Sequence, residues 1–256
     1  MNLDSPGGAV FLVIAGVVAG IIGTAGGITS LVAYPALLAV GIPPLAANVT
    51  NSVALIGSGL SSAASAGPDL AGHSSVVRRW LPPVALASFL GAILLVTTPS
   101  EIFDRVVPFL VAAGASILLC EPLIARWQHQ HNKRLGRTGT AASGGMVALY
   151  NGYFGAGSGI LMITVLMLTT EPVLHRANSL KNVILVAADI APAVLFALLG
   201  KVVWIAVWPL GVGALIGGLI GPRVARRLPH SVLRVFVGMC GFALAGWLFV
   251  TAFFAG

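Results

Sequence analysis

Charge is scarce in this chain: Asp, Glu, Lys and Arg make up 8% of its 256 residues, and only seven residues are acidic. A soluble domain carries roughly 25%, so this chain cannot clothe a water-facing surface. Disorder is excluded as well, because disordered chains are charge-rich and poor in apolar residues. Cysteine is nearly absent. Cys120 and Cys240 both lie in apolar runs, set no disulfide framework or metal-ligand spacing, and are expected as buried small apolar residues. There is no carboxylate pair or Ser/His/Asp arrangement for hydrolysis, and none of the five histidines has metal-ligand spacing within a span. No enzyme activity and no cofactor are therefore expected. The start, Met1-Asn2-Leu3-Asp4, lacks a basic n-region, so the first apolar run is expected to remain in the mature protein.

What is abundant is apolar: 57% of residues are hydrophobic and 32 are glycine, with a mean hydropathy of +0.99. Apolar runs cover 8–22 and 28–40, split by Gly23-Thr24-Ala25-Gly26-Gly27, then 46–66, 81–98 and 106–125. After the polar stretch 126–141 come 142–154 and 159–170, split by Gly155-Ala156-Gly157-Ser158, then 178–200, 202–221 and 232–254. This pattern predicts an all-α polytopic membrane protein in a lipid bilayer. The net charge of +7 then marks cytoplasmic loops and not nucleic-acid binding.

The two sets of five segments match in residues. Gly20 to Ile28 aligns with Gly152 to Ile160 at an offset of 132, and Ala47 to Val53 with Ala177 to Val183 at 130. The expected organisation is a first transmembrane repeat over 1–125, a basic cytoplasmic linker over 126–141, and a second repeat over 142–256. If each glycine-split pair returns to its side of entry, twelve of the fourteen Lys and Arg residues are cytoplasmic and only Arg105 and Lys201 are not. One long span per pair would divide them seven and seven, so the positive-inside rule favours the first arrangement in a cytoplasmic membrane. With five segments per half, the repeats are inverted, a plan of secondary transporters. A 13-residue arm reaches only about 20 Å against a core of about 30 Å. Each half is therefore expected to begin with a re-entrant or broken helix pair, its glycine tip near the midplane. Two steeply tilted spans per pair would satisfy the same charge count.

Glycine tips let backbone amides touch a ligand, and the helices that start there direct positive dipole ends into the shared space. The tip candidates are Thr24, Gly26 and Gly27 in the first half, and Gly157, Ser158 and Gly159 in the second. Close helix packing also uses such residues. Asn48, Asn51 and Ser52 share one helix face, as do Asn178, Lys181 and Asn182; these amides and hydroxyls need a partner in apolar surroundings. Asn48 and Asn178 could also be N-caps. A lysine within a span costs about 3 kcal/mol and suggests function, so Lys181 is read either as an anion contact or as snorkelling to the surface. Asp189, seven residues beyond Asn182, is a candidate for carrying a proton, pairing with Lys181 or coordinating Na⁺, with a purely structural hydrogen bond as the alternative. Glu121 is expected to pair with Arg126, Tyr34, Tyr150 and Tyr153 to be wall residues near the tips, and His73 to be solvated.

Two glycine-rich patches, each followed by an Ala-Asn motif, on a short duplicated chain with a basic central linker resemble the TauE/SafE sulfite exporter family. The match runs over residues 8–254 and carries Gly23, Gly26, Gly27, Asn48 and Asn51 in the first half, and Gly155, Gly157, Gly159, Asn178 and Asn182 in the second. Ala25 departs from the first-half patch, which often has another glycine there. The resemblance implies transport of small sulfur-containing anions such as sulfite or organosulfonates. A coupling ion (H⁺ or Na⁺) and a homodimer are further expectations. A passive anion channel and a membrane-embedded subunit or enzyme of sulfur metabolism are the alternatives.

Overall fold

The computed structural model of the protein describes residues 5–66, 70, 72–130, 136–225 and 230–254. Among these every regular element is a helix, as a bilayer demands of a chain whose backbone must satisfy its own hydrogen bonds. The order is α1 (Pro6–Gly26), α2 (Thr29–Ala39), α3 (Pro44–Ala54), α4 (Ile56–Ser65), α5 (Ser74–Thr97), α6 (Ser100–Gln130), α7 (Arg137–Tyr153), α8 (Ser158–Thr169), α9 (Leu174–Leu199), α10 (Trp204–Ala225) and α11 (His230–Phe254). Six of them, α1, α5, α6, α9, α10 and α11, are long and apolar enough to cross a membrane. The chain is a multi-pass helical membrane protein.

The first arm of each glycine-split pair is longer than the apolar run that marks it in the sequence. α1 starts at a Ser5 N-cap with Pro6 in the first turn and runs helically through Gly23 to Gly26. Its 21 residues reach about 30 Å, whereas α2 has 11. Likewise α7 has 17 residues and α8 has 12. Each pair is thus a long arm and a short return. The first break is confined to Gly27 and Ile28, because α1 runs on through Gly23 and closes only at Gly27, whose backbone is left-handed. The run 46–66 is also divided, into α3 and α4 at Leu55, while its counterpart α9 is continuous. Helices α6 and α7 extend into the polar stretch 126–141; residues 131–135 of it lie outside the described residues.

The halves interlock. α1 lies along α10, α7 along α5, α6 against α11, and α4 against α9. A Cβ on Gly20 would strike the Ala214 carbonyl and one on Gly217 the Val17 carbonyl. Correspondingly, a Cβ on Gly152 would strike the Ser88 carbonyl and one on Gly91 the Leu149 carbonyl. The two sets match in sequence register, α1 against α7 at an offset of 132 and α10 against α5 at 126. Backbones this close are how helices associate in lipid, where small residues replace the hydrophobic driving force available in water.

The perimeter is apolar. Ile14, Leu86, Leu90, Phe109, Leu198, Trp208, Met239 and Phe254 are all exposed, and a water-soluble chain could not present such a surface. Cys120 and Cys240 lie on this perimeter, exposed and not buried as expected; lipid tails solvate a thiol much as a protein interior would. Glu121 approaches Arg234 (3.9 Å), while Arg126 is exposed. His73, expected in solvent, instead pairs with Glu171 at 2.8 Å. That contact joins the turn before α5 to the turn between α8 and α9.

Candidate functional site

The two glycine breaks meet inside the molecule. Gly27 closes α1 in the left-handed region (φ 68°), its amide donating to the Gly23 carbonyl, and Gly157 opens α8 in the same region (φ 79°). Only glycine adopts this backbone without strain. Between the tips there is no room for a side chain: a Cβ on Gly159 would sit 2.6 Å from Gly27 Cα, and one on Gly27 2.8 Å from Gly159 Cα. Gly27 and Gly159 are matched positions of the two glycine patches in the sequence.

Beside this contact lies a cavity of about 110 Å³, room for several waters or one small ion. From the first half it is lined by Gly23, Gly27, Thr29, Ser30, Asn51 and Ser52, and further along α4 by Ser58 and Ser62. From the second half come Asn151, Phe154, Ser158, Gly159, Lys181, Asn182 and Asp189. Both helix starts line the cavity; at α8 the leading amide, that of Ser158, already donates to the Gly155 carbonyl (3.1 Å).

Lys181 is 3% exposed. Its Nζ lies 3.3 Å from where a Gly27 Cβ would be, so it points inward to the tips and does not snorkel. No hydrogen bond or ion pair within 4.0 Å holds it among the described residues. Asp189 does not neutralise it; its Oδ1 accepts from Asn151 Nδ2 at 2.6 Å, and Asn151 Oδ1 accepts from Ser158 Oγ at 2.6 Å. Asn51 Nδ2 donates to Ser30 Oγ (3.1 Å) while its buried Oδ1 has no partner. Ser52 Oγ donates to the Asn48 carbonyl (3.1 Å). The cavity thus brings together one unpaired ammonium, the Asp189 carboxylate, several hydroxyls and amides, and two helix starts, and the ammonium and helix starts are the chemistry that a small anion needs.

The remaining candidates stand behind this lining. Asn48 and Asn178 each lie within a helix and cap neither; α3 and α9 have Pro43 and Val173 at their N-caps. Asn48 Nδ2 donates to the Tyr153 carbonyl (2.9 Å) and Asn178 Nδ2 to the Thr24 carbonyl (3.3 Å). Each half's Asn motif thereby grips the other half's hairpin. Thr24 Oγ1 donates to the Gly20 carbonyl (2.7 Å) and meets Ser62 Oγ (3.3 Å). Gly26 ends α1, and Gly157 packs toward Gly114. Tyr34 packs edge-on against Phe154 (5.4 Å between centroids), and the Tyr150 hydroxyl donates to the Ala156 carbonyl (2.6 Å). Sequence reasoning missed Asn151, Thr29, Ser30, Ser58 and Ser62. Asn151 carried a readable signal, an amide within an apolar run; the serines did not, since small hydroxyls are common in helix packing.

The sequence matches the family described as sulfite exporter TauE/SafE over residues 9–248. The chain belongs to the TauE/SafE family. TauE/SafE membership agrees with relatives named probable membrane transporter proteins. One from a Sinorhizobium species is 27% identical over 241 residues, covering 92% of this chain and 90% of the relative. One from Haemophilus influenzae is 26% identical, covering 90% and 89%. The YfcA protein of Escherichia coli K12 is 24% identical, covering 86% and 81%. No solved structure matches this TauE/SafE chain.

Proposed function

We propose that the protein is a secondary transporter that exports small sulfur-containing anions, such as sulfite or organosulfonates, across the cytoplasmic membrane. The anion sits in the cavity beside the two glycine tips. The observation that carries this reading is Lys181: an ammonium 3% exposed, without a carboxylate partner within 4.0 Å among the described residues, facing the cavity. A buried unpaired charge is costly, and an anionic ligand is the partner that would relieve it. The helix start at Thr29 and the Asn51 and Asn182 amides supply hydrogen bonds, while Ser52 and Ser158 line the site with the Ser52 hydroxyl proton held by the Asn48 carbonyl and the Ser158 amide held by the Gly155 carbonyl. Thr24, Gly26, Asn48, Gly157 and Asn178 hold the tips in place, and Asp189 carries the coupling proton.

The two repeats, 1–125 and 142–256, lie in opposite orientations, with 126–141 on the cytoplasmic side. The matched glycine contacts of α1 with α10 and of α7 with α5 support this, as does the charge asymmetry of the loops. The test is flux of radiolabelled sulfite and sulfoacetate in proteoliposomes, with and without an imposed pH gradient. Saturable, gradient-dependent flux is expected. Flux that rises linearly with concentration and ignores the gradient would instead mark a passive channel, and no flux of either anion through folded protein would overturn the reading.

A further inference from the structure

We propose that Ser158, Asn151 and Asp189 form a proton-operated hydrogen-bond switch that turns a donor toward the anion when Asp189 is protonated. This rests on the anion-site reading above and adds how a proton and the anion are tied to one another.

The argument follows from what each group can donate. A carboxylate only accepts hydrogen bonds, so with Asp189 ionised Asn151 must face it with Nδ2, as in the observed contact of 2.6 Å. The amide oxygen is then turned to Ser158 and takes its hydroxyl proton, also at 2.6 Å. In this state Ser158 offers the cavity only oxygen lone pairs, which repel an anion. When Asp189 binds a proton from solution it becomes a donor. Its O–H now bonds Asn151 Oδ1, the amide turns over, Nδ2 donates to Ser158 Oγ, and the Ser158 O–H is released to an anion in the cavity. One proton is bound, none is lost, and every group in the chain keeps a partner.

Among the described residues no other ionisable side chain competes for this role. α9 packs against α3, α4, α5, α7 and α8. Of the residues that these helices and α9 present to the cavity, Lys181 and Asp189 alone are ionisable. Tyr150 of α7 is bound to the Ala156 carbonyl, Arg78 and Arg79 of α5 and His175 and Arg176 of α9 are exposed, and Glu171 is held by His73. The repeat adds an independent argument. At the matching offsets the first half has Ala19 for Asn151, Gly26 for Ser158 and Gly59 for Asp189. The first hairpin packs with the same glycine register and needs no such chain, so the chain is not required to build the fold.

Methanesulfonate is a suitable probe because its charge is constant near neutral pH. Its binding is measured calorimetrically on purified protein at a series of pH values between about 5.5 and 8, for wild type and for Asp189→Asn, Ser158→Ala and Asn151→Ala. One coupled proton makes wild-type affinity rise by up to about tenfold per pH unit as pH falls. Asp189→Asn, whose carboxamide can meet Asn151 in either orientation but cannot titrate, binds with an affinity that no longer depends on pH. Ser158→Ala and Asn151→Ala keep the carboxyl group but lose the wild-type slope, with affinity at the acid end reduced about tenfold. If either variant binds the anion with the wild-type slope, Asp189 acts through its charge alone and the switch is refuted. A flat wild-type profile, or one that follows Na⁺ and not pH, refutes it too. No methanesulfonate binding by wild type at any pH, with Lys181→Met indistinguishable from it, would instead remove the anion site itself.

Discussion

Replacing Lys181 by methionine separates a binding role from a structural one, because the two make opposite predictions for stability. The side chain is 3% exposed, and no acidic group lies within 4.0 Å of Nζ among the described residues. Its charge is therefore uncompensated in the empty protein. Methionine keeps the length and the packing while removing the charge. If the ammonium contacts the anion at about 4 Å, an effective dielectric near 20 makes the attraction about 4 kcal/mol, and water in the cavity lowers it toward about 2. Affinity should fall about thirtyfold to a thousandfold. The empty protein should gain about 1–2 kcal/mol from losing a buried unpaired charge, a rise in melting temperature of about 2–8 °C. Titration of the anion followed by calorimetry, with thermal melts in the same detergent, reads both. A lower melting temperature together with weaker binding would refute the reasoning, since it would mean that Lys181 holds the tips together by bonds to their carbonyls.

Gly159→Ala places a methyl group 2.6 Å from Gly27 Cα, so the tips must part by about 1 Å at a cost of about 1–3 kcal/mol. Flux should fall more than about tenfold with a lower melting temperature, whereas Gly246→Ala, which meets nothing within 4 Å, should leave both unchanged. Asn178→Ala removes the tie to the Thr24 carbonyl and should cost about 1 kcal/mol of stability in thermal melts. Asn182→Ala, at the cavity, should instead weaken anion binding about tenfold with little change in melting. Burial would raise the Glu171 carboxyl, but hydrogen bonds from His73 and the Val173 amide, together with the charges of His73 and Arg176, outweigh it and hold it below its ordinary value. Its contribution is therefore fully present above the unfolded carboxylate pKa and disappears as pH falls through the depressed folded value. Melting Glu171→Gln beside wild type should show a deficit of about 1–2 kcal/mol at neutral pH that vanishes in acid; a deficit independent of pH would contradict this.

Composition and pattern determine the class of this protein. So few charges on so apolar a chain admit only helices in a bilayer, and repeated glycine and Asn motifs in one order point to two related halves. The same patterns pointed to the tips, because glycine where backbone must bend or approach is a local requirement that the local sequence records. Lys181 and Asp189 were legible as costly residues within apolar runs, but not in which direction either side chain points. Spacing alone left Lys181 poised between the surface and the interior; the packing of α9 beside both tips turns Nζ inward. Asn48 and Asn178 looked like cap or ligand residues, and become ties between halves only because the opposite hairpin brings a carbonyl within reach. Asn151 shows the same limit: its two bonds join Ser158, seven positions away, to Asp189, 38 positions away, and no periodicity encodes that meeting. Periodicity reports which face of a helix is apolar, whereas a site depends on which faces of different helices meet. That meeting was decided by glycine contacts packing α1 on α10 and α7 on α5, an arrangement set by the whole fold.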